Sequence, residues 1–400
     1  MTRRRAGTLL LVTVALVSVL VVLVDVGVDG NPAGADAALG VPSPGGASPE
    51  GGSPTGTAPV ADPDPTGTTT SLAPPTTPTT VRGPLGSGEA VTLAFGGDSH
   101  FEAGLRYRLD GEGPAMFDPL DALFAGSDLQ ILNLETAITD RGAAQPKEWT
   151  FRAPAEALDA LAAAGVDAVS MANNHGLDFG SQGLEDSLAV RDHAPLAVIG
   201  IGRDATDAYQ PYRARVNGQR IAVIAATQVL DEELVYAWTA ADATAGRPAR
   251  AGVASAKEVG RLTDAVARAR AEADTVVVLL HWGQERTECP TARQQDLAPA
   301  LLAAGADIVV GSHAHRLLGA GRMGDGFVAY GLGNFIWFNE QGPNGDTGAL
   351  LVTATGRHID GYQWRPARIR NGVPTALEGP PADAAWARWE GLRACTGLAP

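Results

Sequence analysis

The sequence contains little cysteine, and this scarcity excludes a small exported protein that is held together by several disulfide bonds. Its 400 residues include only Cys289 and Cys395, which lack CxxC spacing. A disulfide-rich scaffold needs several bridges, so a hydrophobic core must hold this fold instead. The two cysteines either form one disulfide in an oxidising compartment or remain inert thiols.

Basic residues are too few and too scattered for a nucleic-acid surface. Lys and Arg total 30 against 45 Asp and Glu, which gives a formal net charge of -15. Binding to a phosphate backbone requires clustered cations, and the one basic cluster is Arg3 to Arg5. We therefore expect no nucleic-acid partner. The charge of an anionic substrate has to be offset locally by metal ions or a few arginines.

Two nucleophile signatures are also missing. The chain has no GxSxG elbow, and Cys289 has no adjacent histidine in the sequence. The elbow places an exposed serine nucleophile on a strand-to-helix turn, and a reactive cysteine needs a neighbouring base. The sequence therefore gives no support to a serine or cysteine hydrolase.

An apolar run near the N-terminus predicts membrane attachment. Residues 6–24 contain no charged residue, follow three arginines and end before Asp25. At about 1.5 Å per residue, such a helix nearly crosses a hydrocarbon core of about 30 Å. The arginines predict a cytoplasmic N-terminus and a single-pass protein of the cell membrane, with its folded part outside. The alternative is a cleavable signal peptide, cut at the small residues 33–35, and hence a secreted protein.

A biased segment separates this run from the folded part of the chain. Residues 29–88 are dominated by Gly, Pro, Ser, Thr and Ala, and they cannot bury enough apolar surface to offset the entropy of ordering. We predict a cytoplasmic tip and anchor at 1–28, a disordered linker at 29–88 and one globular domain at 89–400.

Alternating hydrophobic patterns predict an α/β class for the globular part. Runs rich in β-branched residues alternate with Ala-rich amphipathic runs, which is typical of layered sheets with helices. The predicted strands begin near residues 91, 128, 167, 196, 220, 275, 307 and 326. The predicted helices are Pro119 to Ala125, Ala155 to Ala164, Gln182 to Asp192, Ala256 to Ala271 and Thr291 to Ala304.

Polar residues with catalytic or ligand chemistry follow these apolar strands. Ligands bind at the carboxyl ends of the strands in open α/β sheets, so side chains gathered there predict a functional site. The residues at or just past a strand end are Asp98, Glu135, Asn174, His175, His281, His313 and His315.

The ligand types in these segments favour a centre with two metal ions. Five of the seven histidines lie in the motifs GGDSH, ANNHGLDFG, HWGQE and GSHAH. A dinuclear centre needs about eight ligand positions from imidazole, carboxylate or amide oxygen. Asp98 and His100 are two residues apart, as are His313 and His315, so each pair can converge at a strand end. The donor set suits Mn, Fe and Zn alike, and we predict two divalent ions.

Six segments in this order resemble a known family. FGGDSHFEAG, ILNLETAIT, SMANNHGLDFG, HWGQE, DIVVGSHAH and YGLGNF are similar to the calcineurin-like metallophosphoesterase superfamily, and within it to the bacterial capsule-synthesis CapA family. The resemblance implies a four-layer αββα metallophosphoesterase-like sandwich. It also implies an extracytoplasmic role in capsule or poly-γ-glutamate synthesis.

The resemblance assigns a role to each site residue. A hydroxide that bridges the two ions would be the nucleophile, and His175 would be the acid that protonates the leaving group. Glu135 would bridge the ions. The remaining ligands would divide into Asp98, His100 and His315 on one ion and Asn174, His281 and His313 on the other.

Two positions depart from the usual superfamily pattern. Glu135 stands where typical members have an aspartate, and Asn173 replaces the glycine of the usual GNH motif. Both departures match the CapA variety, and both weaken the expectation of ordinary phosphatase activity more than that of metal binding.

Four further residues are candidates for a supporting or substrate-binding role. Trp282 is interpreted as closing the pocket wall, and Glu285 as orienting His281. Asp178 is interpreted as a partner of the site's ligands. Asn334 either contacts substrate or forms a tight turn.

Two classes of function are compatible with these residues. The first is a metal-dependent hydrolase that cleaves a phosphoester or amide bond of an anionic envelope polymer or its precursor, together with membrane-bound synthase subunits. The second is a non-catalytic metal-binding scaffold that holds such a polymer in a synthase or export complex. A proton donor at His175 is needed by the first class and not by the second.

Overall fold

The structure is a computed structural model that describes residues 88–232 and 234–400. The predicted anchor at 1–28 and all but the last residue of the predicted linker lie outside these ranges. None of the helices within the described ranges combines the length and apolar character needed to cross a bilayer.

Strands form the largest part of the domain. All eight strands predicted from the sequence are present, so the mixed α/β class is confirmed. The strands of the described residues are β1 (Val91–Ser99), β2 (Leu129–Leu134), β3 (Ala137–Ile138), β4 (Arg152–Ala153), β5 (Ala168–Ser170), β6 (Ala197–Ile199), β7 (Ile201–Gly202), β8 (Tyr212–Val216), β9 (Gln219–Thr227), β10 (Gly252–Val253), β11 (Thr275–His281), β12 (Ile308–Ser312), β13 (Ala320–Met323), β14 (Gly326–Ala329), β15 (Asn334–Ile336), β16 (Asp346–Thr355), β17 (His358–Arg370) and β18 (Val373–Ala376).

The five predicted helices are also present, each within a few residues of its expected bounds. The helices of the described residues are α1 (Gly104–Glu112), α2 (Leu120–Phe124), α3 (Glu156–Ala163), α4 (Gly180–Arg191), α5 (Ala205–Ala208), α6 (Val235–Trp238), α7 (Val259–Glu272), α8 (Ala292–Ala304) and α9 (Gly379–Gly391). Short 3-10 helices occur at Gly113–Phe117, Gly342–Gly345 and Leu392–Cys395.

Helix α8 shows how the sequence sets these bounds. Thr291 caps its first turn by accepting from the backbone N–H of Gln294, while the Gln294 side chain accepts from the backbone N–H of Thr291. Gly305 ends the helix in the left-handed conformation at φ 118°. Side-chain capping at the start and glycine at the end satisfy backbone groups that the helix leaves free.

Two large sheets position the strand ends that matter for function. The first sheet has the order β18-β17-β16-β1-β2-β5-β6, with β15 also paired to β1, and the second has the order β13-β14-β12-β11-β9-β8. Strands β1, β2, β5 and β6 run parallel, as do β9, β11, β12 and β14. The carboxyl ends of each parallel set therefore lie along one edge of its sheet.

The hydrophobic residues divide into layers around these sheets. One cluster joins β1 and β2 of the first sheet to β9, β11 and β12 of the second, so these two sheets share a core. A second cluster packs α1 to α4 on the outer face of the first sheet, and a third packs α7 and α8 on the second sheet. Strands covered on both faces read as continuous apolar runs, as β11 does.

The two cysteines of the chain are bonded to each other. Cys289 and Cys395 have Cα atoms 5.8 Å apart and join segments separated by 106 residues. The bond ties the end of the chain to the loop that follows β11. Of the two alternatives left open by the sequence, the structure therefore has the disulfide.

Candidate metal centre

Close backbone packing brings β1 to the site. The backbone N–H of Asp98 donates to the carbonyl of Gly333 at 2.9 Å, just before β15. A Cβ atom on Gly97 would lie 2.0 Å from that same carbonyl oxygen, so only glycine allows the two segments to approach. Asp98 is thereby held at the edge where the two sheets meet.

Asp98 is a fully buried carboxylate surrounded by donors. It accepts from the amide of Asn133 at 2.8 Å and from the backbone N–H of His313 at 3.0 Å, and His315 Nδ1 lies 3.3 Å away. Burial acts to raise the pKa of Asp98, but His315 and the other donors lower it to about 2. The carboxylate is therefore ionised and available to a cation.

Glu135 is the most unusual group of the site. Its side chain is completely buried, and neither carboxylate oxygen has a hydrogen-bond partner in the described residues. His281 Nε2 lies 3.3 Å from Oε1, with His175 Nε2 at 3.8 Å and His315 Nε2 at 4.0 Å. Burial and the nearby Asp98 raise the pKa of Glu135 well above its usual value. A buried carboxylate without donors is costly unless a cation offsets it.

His281 at the end of β11 is oriented through both ring nitrogens. Nδ1 lies 2.9 Å from the hydroxyl of Ser312 and 3.2 Å from the amide of Asn133. Nε2 lies 2.7 Å from the side-chain oxygen of Asn174. These contacts turn Nε2 toward Glu135 and Asn174. Burial lowers the pKa of His281 to about 3, which keeps the imidazole neutral as a metal ligand requires.

His313 and His315 both have positive φ values in the turn after β12. Their φ angles are 90° and 51°, a region that non-glycine residues seldom adopt and that often marks functional sites. The turn directs both rings to one side. His315 Nδ1 is held by the side-chain oxygen of Asn334 at 2.8 Å, whereas the buried Nδ1 of His313 has no partner in the described residues.

The donor atoms of these side chains fit a metal centre. Glu135, His313 and His315 offer ligand atoms within 4.8 Å of one another, and so do Asp98, Glu135 and His281. Glu135 belongs to both groups, which is the position that a bridging ligand would occupy. The unpartnered oxygens of Glu135 and the unpartnered nitrogen of His313 fit a divalent cation. The division of the histidines between two ions stays a prediction.

His100 lies beside this set and outside both groups of closely spaced donors. Its ring stacks on Phe151 at a centroid distance of 4.6 Å and meets Trp337 edge-on at 4.2 Å. Nδ1 accepts from the backbone N–H of Glu102 at 3.1 Å, and the buried Nε2 has no partner in the described residues. In a neutral ring that accepts at Nδ1, the proton lies on Nε2, so metal binding through Nε2 would require the proton to move to Nδ1 and the contact with Glu102 to break. The assignment of His100 as a ligand stays a prediction.

His175 is paired with Asp178 on the turn after β5. Its Nδ1 lies 2.5 Å from Asp178 Oδ2, so Nε2 faces Glu135. The other face of Phe151 stacks on His175 at 4.2 Å, which places one phenyl ring between two imidazoles. Burial lowers the pKa of His175 well below its ordinary value. His175 is therefore neutral until a neighbouring charge favours its proton.

A cavity opens beside His175. It has a volume of about 750 Å³, and Asn174 and His175 form part of its wall. Charged side chains of both signs line most of the remainder, with Trp149 exposed among them. The charged residues are Lys147, Glu148, Asp231, Glu232, Glu285 and Arg286. The cavity is large enough to admit a small molecule or a polymer segment to His175.

Two predicted supporting residues have other positions than expected. Trp282 is fully buried in the core against α8, where its Nε1 donates to the carbonyl of Tyr330 at 2.9 Å. It follows His281 directly and points to the opposite face, so it does not close the pocket. Glu285 is exposed at the cavity wall, and Ser312 and Asn133 orient His281 instead. The structure thus shows Trp282 in the core, and it shows Glu285 acting on His281 through its charge.

The other two supporting residues contact site histidines. Asp178 is fully buried and pairs with His175 as described above. Asn334 joins His315 Nδ1 to the carbonyl of Asn344, to which its amide donates at 3.0 Å. Asn334 thus fixes the orientation of the His315 ring through a contact between the two side chains.

Sequence reasoning missed three residues of the site. Asn133 contacts both Asp98 and His281, and Ser312 contacts His281. Asn133 had a signal, because it lies two residues before Glu135 on an extended segment and so faces the same side. Lys147 lies in an irregular loop and had no such signal.

Comparison with known proteins identifies the family of the chain. Residues 92–339 match the family described as "Bacterial capsule synthesis protein PGA_cap". This range is more than half of the chain and contains every site residue named above. The chain belongs to this family.

Two relatives carry matching names. The chain is 32% identical over 191 residues to "Capsule biosynthesis protein CapA" of Bacillus anthracis, covering 48% of this chain and 45% of that protein. It is 30% identical over 269 residues to "PGA biosynthesis protein CapA" of Bacillus subtilis, covering 64% of this chain and 67% of that protein. The match thus spans about half to two thirds of the length of these relatives.

Solved structures with a similar course of the chain include a phosphatase from Mycoplasma pneumoniae. It is 13% identical, with a TM-score of 0.42, and the alignment covers 74% of this chain and 97% of that chain.

Proposed function

We propose that this PGA_cap family member is a metal-dependent hydrolase with a metallophosphoesterase-like dinuclear centre. One observation carries the proposal: Glu135 is fully buried without a hydrogen-bond partner in the described residues, between histidines from two strands of the second sheet. Structural ion pairs do not require such an arrangement, whereas a pair of cations does.

The ligands of the two ions would come from both sheets. When bound, two divalent ions would supply Lewis acidity and lower the pKa of coordinated water. Their donor types suit Mn, Fe and Zn. The residues that would hold the ions are Asp98, Glu135, Asn174, His281, His313 and His315, with His100 as a further ligand through Nε2.

The chain's own residues supply the proton chemistry. Asp178 accepts from Nδ1–H of His175 and thereby fixes the tautomer and direction of the ring. Because Nδ1–H is held by Asp178, Nε2 carries a proton only when the ring is the imidazolium, and in that form it can donate to a leaving oxygen or nitrogen in the adjacent cavity. The same geometry serves cleavage of a phosphoester or of an amide bond.

We infer the substrate and location from the family and the sequence. The substrate would be an anionic envelope polymer, with poly-γ-glutamate as the first candidate, or its precursor. Membrane-bound synthase subunits would be the partners. The apolar run at 6–24 supports a position outside the cell membrane. The disulfide supports it as well, because such bonds persist mainly in oxidising compartments.

A second candidate is a metal-binding scaffold without turnover. Asp98, Glu135 and His281 are each at most 1% exposed, and full burial of the ligands is typical of structural metal sites. The His175–Asp178 pair favours the hydrolase, because a scaffold needs no oriented proton donor.

Metal analysis and an activity screen on the full chain in detergent distinguish the two candidates. We expect two divalent ions per chain after growth with Mn, Zn and Fe. We also expect slow hydrolysis of p-nitrophenyl phosphate, its diester or a γ-glutamyl anilide. His175→Ala should keep both metals and lose turnover, whereas Asp98→Ala should lose metal. Fewer than one bound metal refutes the centre. Two metals with no turnover favour the scaffold. Turnover that is unaltered in His175→Ala refutes the acid role of His175 and leaves the hydrolase.

A further inference from the structure

The segment between β3 and β4, residues 139–151, is irregular, and two of its backbone N–H groups donate to Asp178, the partner of His175. The backbone N–H of Gln145 donates to the carbonyl of Asp178 at 2.8 Å, and the N–H of Phe151 donates to Asp178 Oδ2 at 2.7 Å. We name this segment the support loop. Its contacts converge on the residue that orients the proposed acid.

Lys147 makes the charged contact between the support loop and Asp178. Its ammonium lies 2.7 Å from Asp178 Oδ1 and donates to the carbonyl oxygen of Asn174 at 2.5 Å. The lysine side chain is only 11% exposed, and it packs over the ring of Trp238 at 5.2 Å. A lysine buried to this degree, with two fixed acceptors, is held in one position.

We propose that Lys147 is a positioning residue for the His175–Asp178 pair and for the metal-ligating turn at Asn174. The inference rests on the proposed function. Lys147 itself acts through Asp178 and Asn174 and does not touch the reacting atoms.

The charge of Lys147 explains why a lysine is required. Asp178 is fully buried, and burial disfavours the charge of its carboxylate. A buried carboxylate needs a cation and hydrogen bonds to stay in place. Phe151 and His175 bond Oδ2, and the ammonium is the partner of Oδ1. Lys147 thus completes the set of donors that keeps Asp178 under the imidazole.

The second contact links the acid to the metal ligands. Asn174 gives its carbonyl to Lys147 and its side-chain oxygen to His281. One ammonium therefore fixes both the ligand at 174 and the partner of the acid at 178. A small rotation of the His175 ring would misdirect its proton, and such misplacement slows an oriented reaction strongly.

The test uses full-chain Lys147→Met and Lys147→Ala with the best substrate of the activity screen. We expect kcat to fall by about 10- to 100-fold, as for other residues that orient ligands, while KM and metal content stay close to wild type. Propylammonium or butylammonium should restore part of the activity of Lys147→Ala, and tetramethylammonium should not. The matched control is Lys257→Met, because Lys257 is the other lysine of the chain and its ammonium donates to the carbonyl of Leu230.

Each outcome decides the proposal. Wild-type kcat in Lys147→Met overturns it, as does a loss that alkylammonium ions never restore and that coincides with lost metal. An inactive wild-type protein refutes the proposed function instead. In that case, ¹⁵N spectra of the zinc-loaded protein test Lys147 separately, with the His175 signals assigned by comparison with His175→Gln. Unchanged imidazole signals in Lys147→Met overturn the proposal, and shifted His175 signals support it.

Discussion

The Nε2 atom of His281 lies 2.7 Å from the side-chain oxygen of Asn174, a residue 107 positions earlier in the chain. His281 ends a strand of the second sheet, and Asn174 follows a strand of the first. His281 Nε2 also lies 3.3 Å from Oε1 of Glu135, whose oxygens have no hydrogen-bond partner within the described residues. The contact therefore marks the place where the two sheets offer ligands to the same cation.

Removal of His281 should abolish binding at one of the two metal positions. We expect His281→Ala to reduce metal affinity by at least the roughly 10- to 100-fold that loss of an orienting partner costs. Glu285→Gln is the control, because Glu285 is exposed on the cavity wall and acts on His281 through its charge at a distance. Titration with Zn²⁺ or Mn²⁺ followed by calorimetry measures both variants. A Glu285→Gln protein as defective as His281→Ala would contradict the assignment.

Asp178 makes the stability of the metal-free protein depend on pH, and the pKa shift of Asp178 gives the direction of this dependence. Burial raises the pKa of Asp178 to about 6, although Lys147 opposes the shift. The folded state therefore binds this proton more tightly than the unfolded state, whose pKa is near 3.8. The stabilisation is fully present below pH 3.8 and is lost as the pH rises through about 6.

Urea unfolding of the EDTA-treated protein at pH 4 and pH 7 tests this sign. Between pH 4 and pH 7, the unfolding free energy of the wild type should fall by up to about 3 kcal/mol relative to that of Asp178→Asn, because one pKa unit corresponds to about 1.36 kcal/mol. Parallel curves for the two proteins would show that Asp178 has an unshifted pKa.

Reduction of the Cys289–Cys395 bond should destabilise the domain. The bond closes a loop with a sequence separation of 106, and removal of a native disulfide typically costs about 2 to 5 kcal/mol. Denaturant unfolding with and without a phosphine reductant measures the effect. Cys395→Ser should match the reduced wild type and should not respond to the reductant. Equal stability of reduced and oxidised wild type would contradict the expectation.

Gly97→Ala should displace Asp98 from the site. The new Cβ atom would lie 2.0 Å from the carbonyl oxygen of Gly333, so the backbone has to move. Overpacking of this kind costs about 1 to 3 kcal/mol, and metal affinity should fall with it. Gly104→Ala is the control, since a Cβ atom there meets nothing within 4 Å. Urea unfolding and metal titration measure both variants, and equal values for the two would contradict the prediction.

The sequence predicted the site best where side-chain direction follows from strand geometry. Asp98, Glu135 and His281 end apolar strands, and parallel strands bring such ends to one edge. The direction of a side chain in a turn cannot be predicted from strand geometry in this way. Trp282 faces the core because it alternates with His281, and the fixing of His281 by Ser312 depends on pairing between β11 and β12.

The part of the fold that escaped prediction has a physical reason as well. Strand β17 buries only four of its 13 residues, at irregular spacing, and carries polar residues and Pro366 within its length, so its pattern is weak. It is defined mainly by its long antiparallel pairing with β16. Such pairing is a tertiary property that propensity does not encode. The conformation of the support loop is likewise a tertiary property, because it depends on hydrogen bonds to Asp178.

The division of ligands between the two sheets has a mechanical consequence. Asp98, Glu135 and Asn174 follow strands of the first sheet, whereas His281, His313 and His315 follow strands of the second. A cation bound by ligands from both sheets would link the two sheets. Its binding free energy would add to the stabilisation that their shared apolar core provides. Removal of the cation with a chelator should therefore weaken the packing between the two sheets before it disturbs either sheet. Hydrogen exchange should then quicken first in the edge strands nearest the metal centre.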